Sequence, residues 1–179
     1  MKTKTLAISV GLIVIALGGA FILSNSNNKE PKSASTQDIK QLVQDYSTRM
    51  KAADSASITS HKLTVSDGEE DTSTYDLPQD EFFVSIAPFV ESTHPCEIHS
   101  LTGCQGEMAD QEFDVTIVDD EGNTVVDKKM KTYDNGFVDL WLPRDRTYKV
   151  TIRHDGKTAN SEISTFEGDN TCITTMQLV

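Results

Sequence analysis

From residue 57 onward, apolar side chains recur at every second position and turn-forming residues interrupt them about every ten residues. That period turns one face of each short strand toward a core and the other toward water, the pattern of a small β-sandwich or barrel. Leu63 and Val65 lead into Asp67-Gly68, residues 72–77 return before Pro78, and residues 82–86 run apolar up to Pro88. Phe113, Val115 and Ile117 alternate into the turn at 120–123, and Val125 and Val126 come back toward Asp134-Asn135-Gly136. Val138, Leu140 and Leu142 share a face and stop at Pro143. Tyr148, Val150 and Ile152 follow, His154-Asp155-Gly156 turns the chain, and residues 163–166 precede a final strand over 172–179. On that last strand the period of two predicts Cys172 and Met176 on one face.

Upstream the period changes. Ser35 or Thr36 can cap a helix, and Ile39, Leu42, Val43, Tyr46 and Met50 fall on one side at spacings of three and four, which predicts a helix over about 36–53. The expected fold class is therefore α+β, mainly β: an N-terminal amphipathic helix followed by a small antiparallel β-sandwich. The helix must cover its apolar stripe with the sheet or with a second copy of itself.

The first residues set the compartment. Lys2 and Lys4 precede an uncharged apolar run over 6–23, so residues 1–24 read as a signal peptide or membrane anchor. Residues 25–34 are polar, contain Pro31 and read as a linker. Residues 35–55 form the helical segment, a candidate dimerisation element, and 56–179 the β-rich domain. The chain is expected outside the cytoplasm, in the periplasm or on the outer face of the cytoplasmic membrane. A formal net charge of -12 excludes nucleic acid as a partner, because that binding rests on basic side chains neutralising phosphates.

The chemistry concentrates in one stretch. Residues 94–108 hold His94, Cys96, His99, Cys104 and Met108, broken by Pro95, Gly103 and Gly106, so they read as a loop carried by the sheet. Cys172 is far away in sequence. In an oxidising compartment Cys96 and Cys104 can simply staple the loop, yet three cysteines leave one thiol over. Thiolates suit Cu(I) and imidazole holds either copper oxidation state, so Cys96, Cys104 and Cys172 with His94 and His99 form a candidate copper set. Zinc in a closed tetrahedral site is the chemical rival. The C-x7-C spacing is neither a zinc ribbon nor the CxxC of a disulfide oxidoreductase, and no GxSxG signature supports a hydrolase. His61 and His154 read as surface or packing residues, Trp141 as core, and Met108 and Met176 as core filler or weak copper ligands.

The segments DEFFVSIAPFV, THPCEIHSLTGCQGEM, NGFVDLWLPRDRTYKVTIRHDG and DNTCITTMQLV resemble the periplasmic copper-binding CueP family over most of the chain from about residue 55. The resemblance implies copper resistance, with Cu held by Cys96, Cys104 and Cys172. It also implies cupric reductase activity, copper supply to a copper-zinc superoxide dismutase, and a homodimer formed through the N-terminal part. Two thiolates can reduce Cu(II) by closing a disulfide, and turnover then needs a thiol-disulfide reductant. The reading of a different class is a disulfide-stapled extracytoplasmic interaction module without a metal.

Overall fold

The structure is a computed structural model that describes residues 35–68 and 71–179. The expected leader and linker lie outside the described residues. Helix α1 spans Thr36–Ser47. Ser35 caps it: its Oγ accepts from Asp38 N at 3.2 Å, and the Asp38 carboxylate accepts in return from Ser35 N at 3.3 Å. Ile39, Val43 and Tyr46 are buried along it. The helix stops short of residue 53, because Arg49 takes a left-handed φ of 58° and turns the chain away. Met50, expected on the buried stripe, is 81 % exposed.

Eleven strands follow among the described residues: β1 (Ser55–Ile58), β2 (Lys62–Ser66), β3 (Thr72–Asp76), β4 (Glu81–Ile86), β5 (His99–Ser100), β6 (Glu112–Asp119), β7 (Thr124–Lys131), β8 (Val138–Pro143), β9 (Thr147–His154), β10 (Lys157–Ser164) and β11 (Cys172–Ile173). They pair in three sheets, ordered β3-β2-β1-β5, β10-β9-β6-β7 and β11-β4-β8. The pairings are antiparallel except that of β11 with β4, which is parallel. The turn between β9 and β10 consists of Asp155 and Gly156, both at positive φ, which matches the twist of the hairpin they join.

The β11-β4-β8 sheet lies between two cores. Phe82, Val84, Ile86, Val138, Leu140 and Leu142 face the buried residues of β6, β9 and β10. Phe83 and Trp141, on the opposite face, meet α1, β1 and β2. A strand covered on both sides has no solvent face on which to place polar residues, and this explains the unbroken burial of FFVSI in β4.

The end of the chain differs from expectation. Regular pairing stops at Ile173, and only an isolated bridge between Phe89 and Gln177 follows. The period of two therefore does not run through: Met176 enters the larger core, whereas Cys172 packs with Ala87 and Phe137.

Candidate metal centre

Three elements deliver the site. β5 pairs with β1, setting His99 opposite Ile58, and β11 pairs with β4, setting Cys172 opposite Ser85. Thr171 joins the two strands: its hydroxyl donates to Ile58 O at 2.6 Å and accepts from His99 N at 3.0 Å. Glu97 O accepts from the backbone N–H of both Thr171 and Cys172, at 3.0 and 3.1 Å. The Cys96 loop is thus stitched to the C-terminal strand along its backbone.

Cys96 and Cys172 form a disulfide with a Cα–Cα separation of 5.6 Å. The staple weighed from sequence, Cys96 with Cys104, is not the bond present. β11 brings Cys172 to Cys96 from 76 residues away, a proximity that local spacing does not encode. Cys104 is the free thiol, and its Sγ lies 3.5 Å from Cys96 Sγ. Ser100 N donates to Cys104 Sγ at 3.3 Å. Burial pushes the Cys104 thiol up, and the Ser100 hydrogen bond opposes that shift.

The two histidines join different sulfurs of this cluster. His94, Cys96 and Cys104 offer ligand atoms within 4.8 Å of one another, and so do His99, Cys104 and Cys172. His99 is fully buried, and neither ring nitrogen has a hydrogen-bond partner. Its ring packs 4.6 Å from that of Phe137. Burial, aided by the nearby His94, lowers its pKa to about 4, so the ring is neutral and keeps a lone pair for a metal near neutral pH. An imidazole held dry and unpaired beside two cysteine sulfurs has the form of a ligand position, since buried polar atoms are otherwise satisfied.

The remaining candidates lie elsewhere. His61 Nδ1 hydrogen-bonds Ser60 Oγ at 2.9 Å. His154 Nδ1 meets Glu112 O at 2.8 Å over Phe113. Met108 and Met176 belong to the larger core.

Several supporting residues carried no sequence signal of their own role. Glu107 accepts from Val90 N at 2.6 Å and from Glu91 N at 3.1 Å, tying the chain that leads to His94 to the segment after Cys104. Those backbone bonds, Val90 first, hold its carboxyl below the usual range. Gly106 N donates to Asn135 O at 2.7 Å, and Gly106 and Gly136 touch backbone to backbone. Arg49 reaches from the end of α1 to Gln105 at 3.0 Å and Asp134 at 3.4 Å. Glycines at 106 and 136 were visible as breakers, but their mutual approach is a property of the fold.

A mainly β protein with thiol and imidazole ligands converging at one locus belongs to the class that can hold a soft metal ion. Residues 37–177 match the family described as periplasmic copper-binding protein CueP, and the chain belongs to that family. Among solved structures, one titled "Crystal Structure of S.CueP" is similar to this chain at 38 % identity with a TM-score of 0.74, covering 82 % of this chain and 100 % of that one. No curated protein matches. The family is periplasmic, in keeping with the extracytoplasmic placement expected from residues 1–24. No helix among the described residues is long and apolar enough to cross a membrane.

Proposed function

We propose that this chain is an exported copper-resistance protein that binds copper through Cys96, Cys104 and Cys172, with His94 and His99 as further ligands, and that reduces Cu(II) to Cu(I). The convergence of Cys172 on the Cys96 and Cys104 loop carries this reading, since a plain loop staple needs no third sulfur 3.5 Å away. Each thiolate of Cys96 and Cys172 gives one electron: two Cu(II) become two Cu(I) as one disulfide forms. The disulfide form is then the spent state, in which Cys104 and the two imidazoles still present soft donors. An external dithiol resets it by exchange, taking the disulfide onto itself and restoring two thiols.

A groove of about 530 Å³ lined by Cys96, Cys172, Phe166 and Asp169 supports such access to the disulfide. Delivery of Cu(I) to a copper-zinc superoxide dismutase and homodimerisation through the N-terminal part complete the proposal. Zinc is the rival occupant, and competition between the two metals separates them. The disulfide also supports the reading of a stapled interaction module.

Anaerobic titration of the reduced protein with Cu(II) tests the choice. Thiol loss in step with Cu(I) captured by a chromogenic chelator, abolished in Cys96→Ser and Cys172→Ser, is expected. Unchanged thiols and no tight copper binding would leave the stapled module.

A further inference from the structure

One buried carboxylate, that of Asp139, has no part in the copper chemistry. Asp139, on β8, lies on the face of the central sheet that meets α1. Ser47, the last residue of α1, donates to Asp139 Oδ2 at 2.5 Å, and Ser85 on β4 donates to Oδ1 at 2.6 Å. Both serines are fully buried. Protein encloses the carboxylate on most sides, while a cleft of about 300 Å³ lined by Lys40, Gln44, Phe83, Tyr133 and Trp141 leaves it partly open to solvent.

We propose that Asp139 is a proton-dependent latch: protonated, it fastens the end of α1 to the central sheet; ionised, it loosens that attachment. Two hydroxyls are the only hydrogen-bond donors on its carboxylate among the described residues, and no ion pair is formed there. Lys40 of α1 lines the same cleft but pairs with Glu81 and lies 5.4 Å from the centre of the Trp141 ring. Tyr133, from the turn before β8, faces Asp139 as a neutral phenol whose own ionisation is opposed by burial first and then by Asp139. Cys172, beyond Ser85 in the sheet, is held in the disulfide. Arg49, just past α1, is engaged with Asp134 and Gln105. An ionised Asp139 therefore sits in a low-dielectric contact without a countercharge, which is costly.

The latch also reaches the sulfur loop. Ser47 is two residues from Arg49, which holds Gln105, the neighbour of Cys104. Loosening the end of α1 removes that support.

Burial raises the Asp139 pKa to about 6 against the two serine hydrogen bonds, from 3.8 for an exposed aspartate. A carboxyl raised in the docked state binds its proton more tightly there than in the undocked state, so docking weakens as pH rises from about 4 to 6 and levels off above. The undocking equilibrium should rise about tenfold per pH unit in that window, for a total on the order of a hundredfold.

The test is amide hydrogen exchange of α1 in the intact oxidised chain between pH 4.5 and 7.5, corrected for intrinsic rates, beside Trp141 fluorescence, since Trp141 is the sole tryptophan. Protection of α1 should fall with pH in the native chain and stay level in Asp139→Asn. Equal slopes in both would overturn the latch. Should the variant not fold, the ¹³C titration of the Asp139 carboxyl in the native chain decides: a midpoint near 6 supports the proposal, and one at or below 4 overturns it.

Discussion

His99 is a residue whose two ring nitrogens no group in the described structure satisfies. Leaving a buried polar atom unpaired costs about 1–3 kcal/mol, so the folded protein carries a local defect that a metal would repair. His99→Leu should therefore unfold at an equal or higher urea concentration while Cu(I) affinity falls by at least the roughly 10–100-fold lost on removing even an outer partner of a metal site. A variant that loses stability and keeps its copper would make His99 a packing residue. The pH dependence of binding should come from sulfur. His99 is neutral above about pH 5 because burial holds its pKa to about 4. Cys104, pushed up by burial, must surrender a proton to bind Cu(I). Affinity measured against a chelator of known pH response should then rise about tenfold per pH unit for each thiol proton displaced, and Cys104→Ser should reduce that slope by one proton. Neither property of His99 was visible in the sequence, where His94 and His99 looked alike; only the fold buries one and leaves the other at the rim.

At the scale of elements, the turn at residues 134–136 is the buttress of the sulfur loop. Gly136 has φ 78°, and a Cβ there would meet Gly106 backbone atoms at 2.7 to 2.9 Å. Gly122, at φ 89°, has nothing within 4 Å of its Cβ position. Gly122→Ala should cost about 1–2 kcal/mol, the strain of a left-handed backbone alone. Gly136→Ala should cost clearly more in the same denaturation experiment, and it alone should weaken copper binding by displacing Gly106, two residues from Cys104. Equal costs with intact copper binding would show that the close approach is dispensable. The β2–β3, β6–β7 and β9–β10 hairpins were legible in advance, because glycine-containing turns and strict alternation are local signals, whereas the Asn135-Gly136 turn joins strands of two different sheets. The central strand's burial was readable from FFVSI as well. The end of α1 was not, since Arg49 enters the left-handed region without a glycine or proline to mark it. The last strand was overread, because alternation continues in sequence where pairing has already stopped at Ile173.

For the whole molecule, the Cys96–Cys172 bond closes a loop of 76 residues that contains β5 to β10 and fastens β11 at the edge of the central sheet. Sequence alone could not name this pair, because which cysteines meet depends on a long-range parallel pairing and not on the short C-x7-C spacing. Chain-entropy reasoning puts the bridge's contribution at about 4 kcal/mol, mostly through restriction of the unfolded chain. Under the proposed cycle the copper-competent form lacks this bridge, so the protein is least stable when it is most reactive. Reduction should lower the urea midpoint of the native chain and of Cys104→Ser, which keeps the pair, and should leave Cys96→Ser unchanged. Cu(I) spanning the same sulfurs should replace the lost constraint: saturation at a thousandfold above Kd returns about 4 kcal/mol by mass action. If reduction shifts the midpoint but Cu(I) restores none of it, the three sulfurs act as a staple and not as a shared metal site. If Cu(I) restores it in the native chain and fails in Cys104→Ser, the third thiol is what turns a structural bridge into a copper centre.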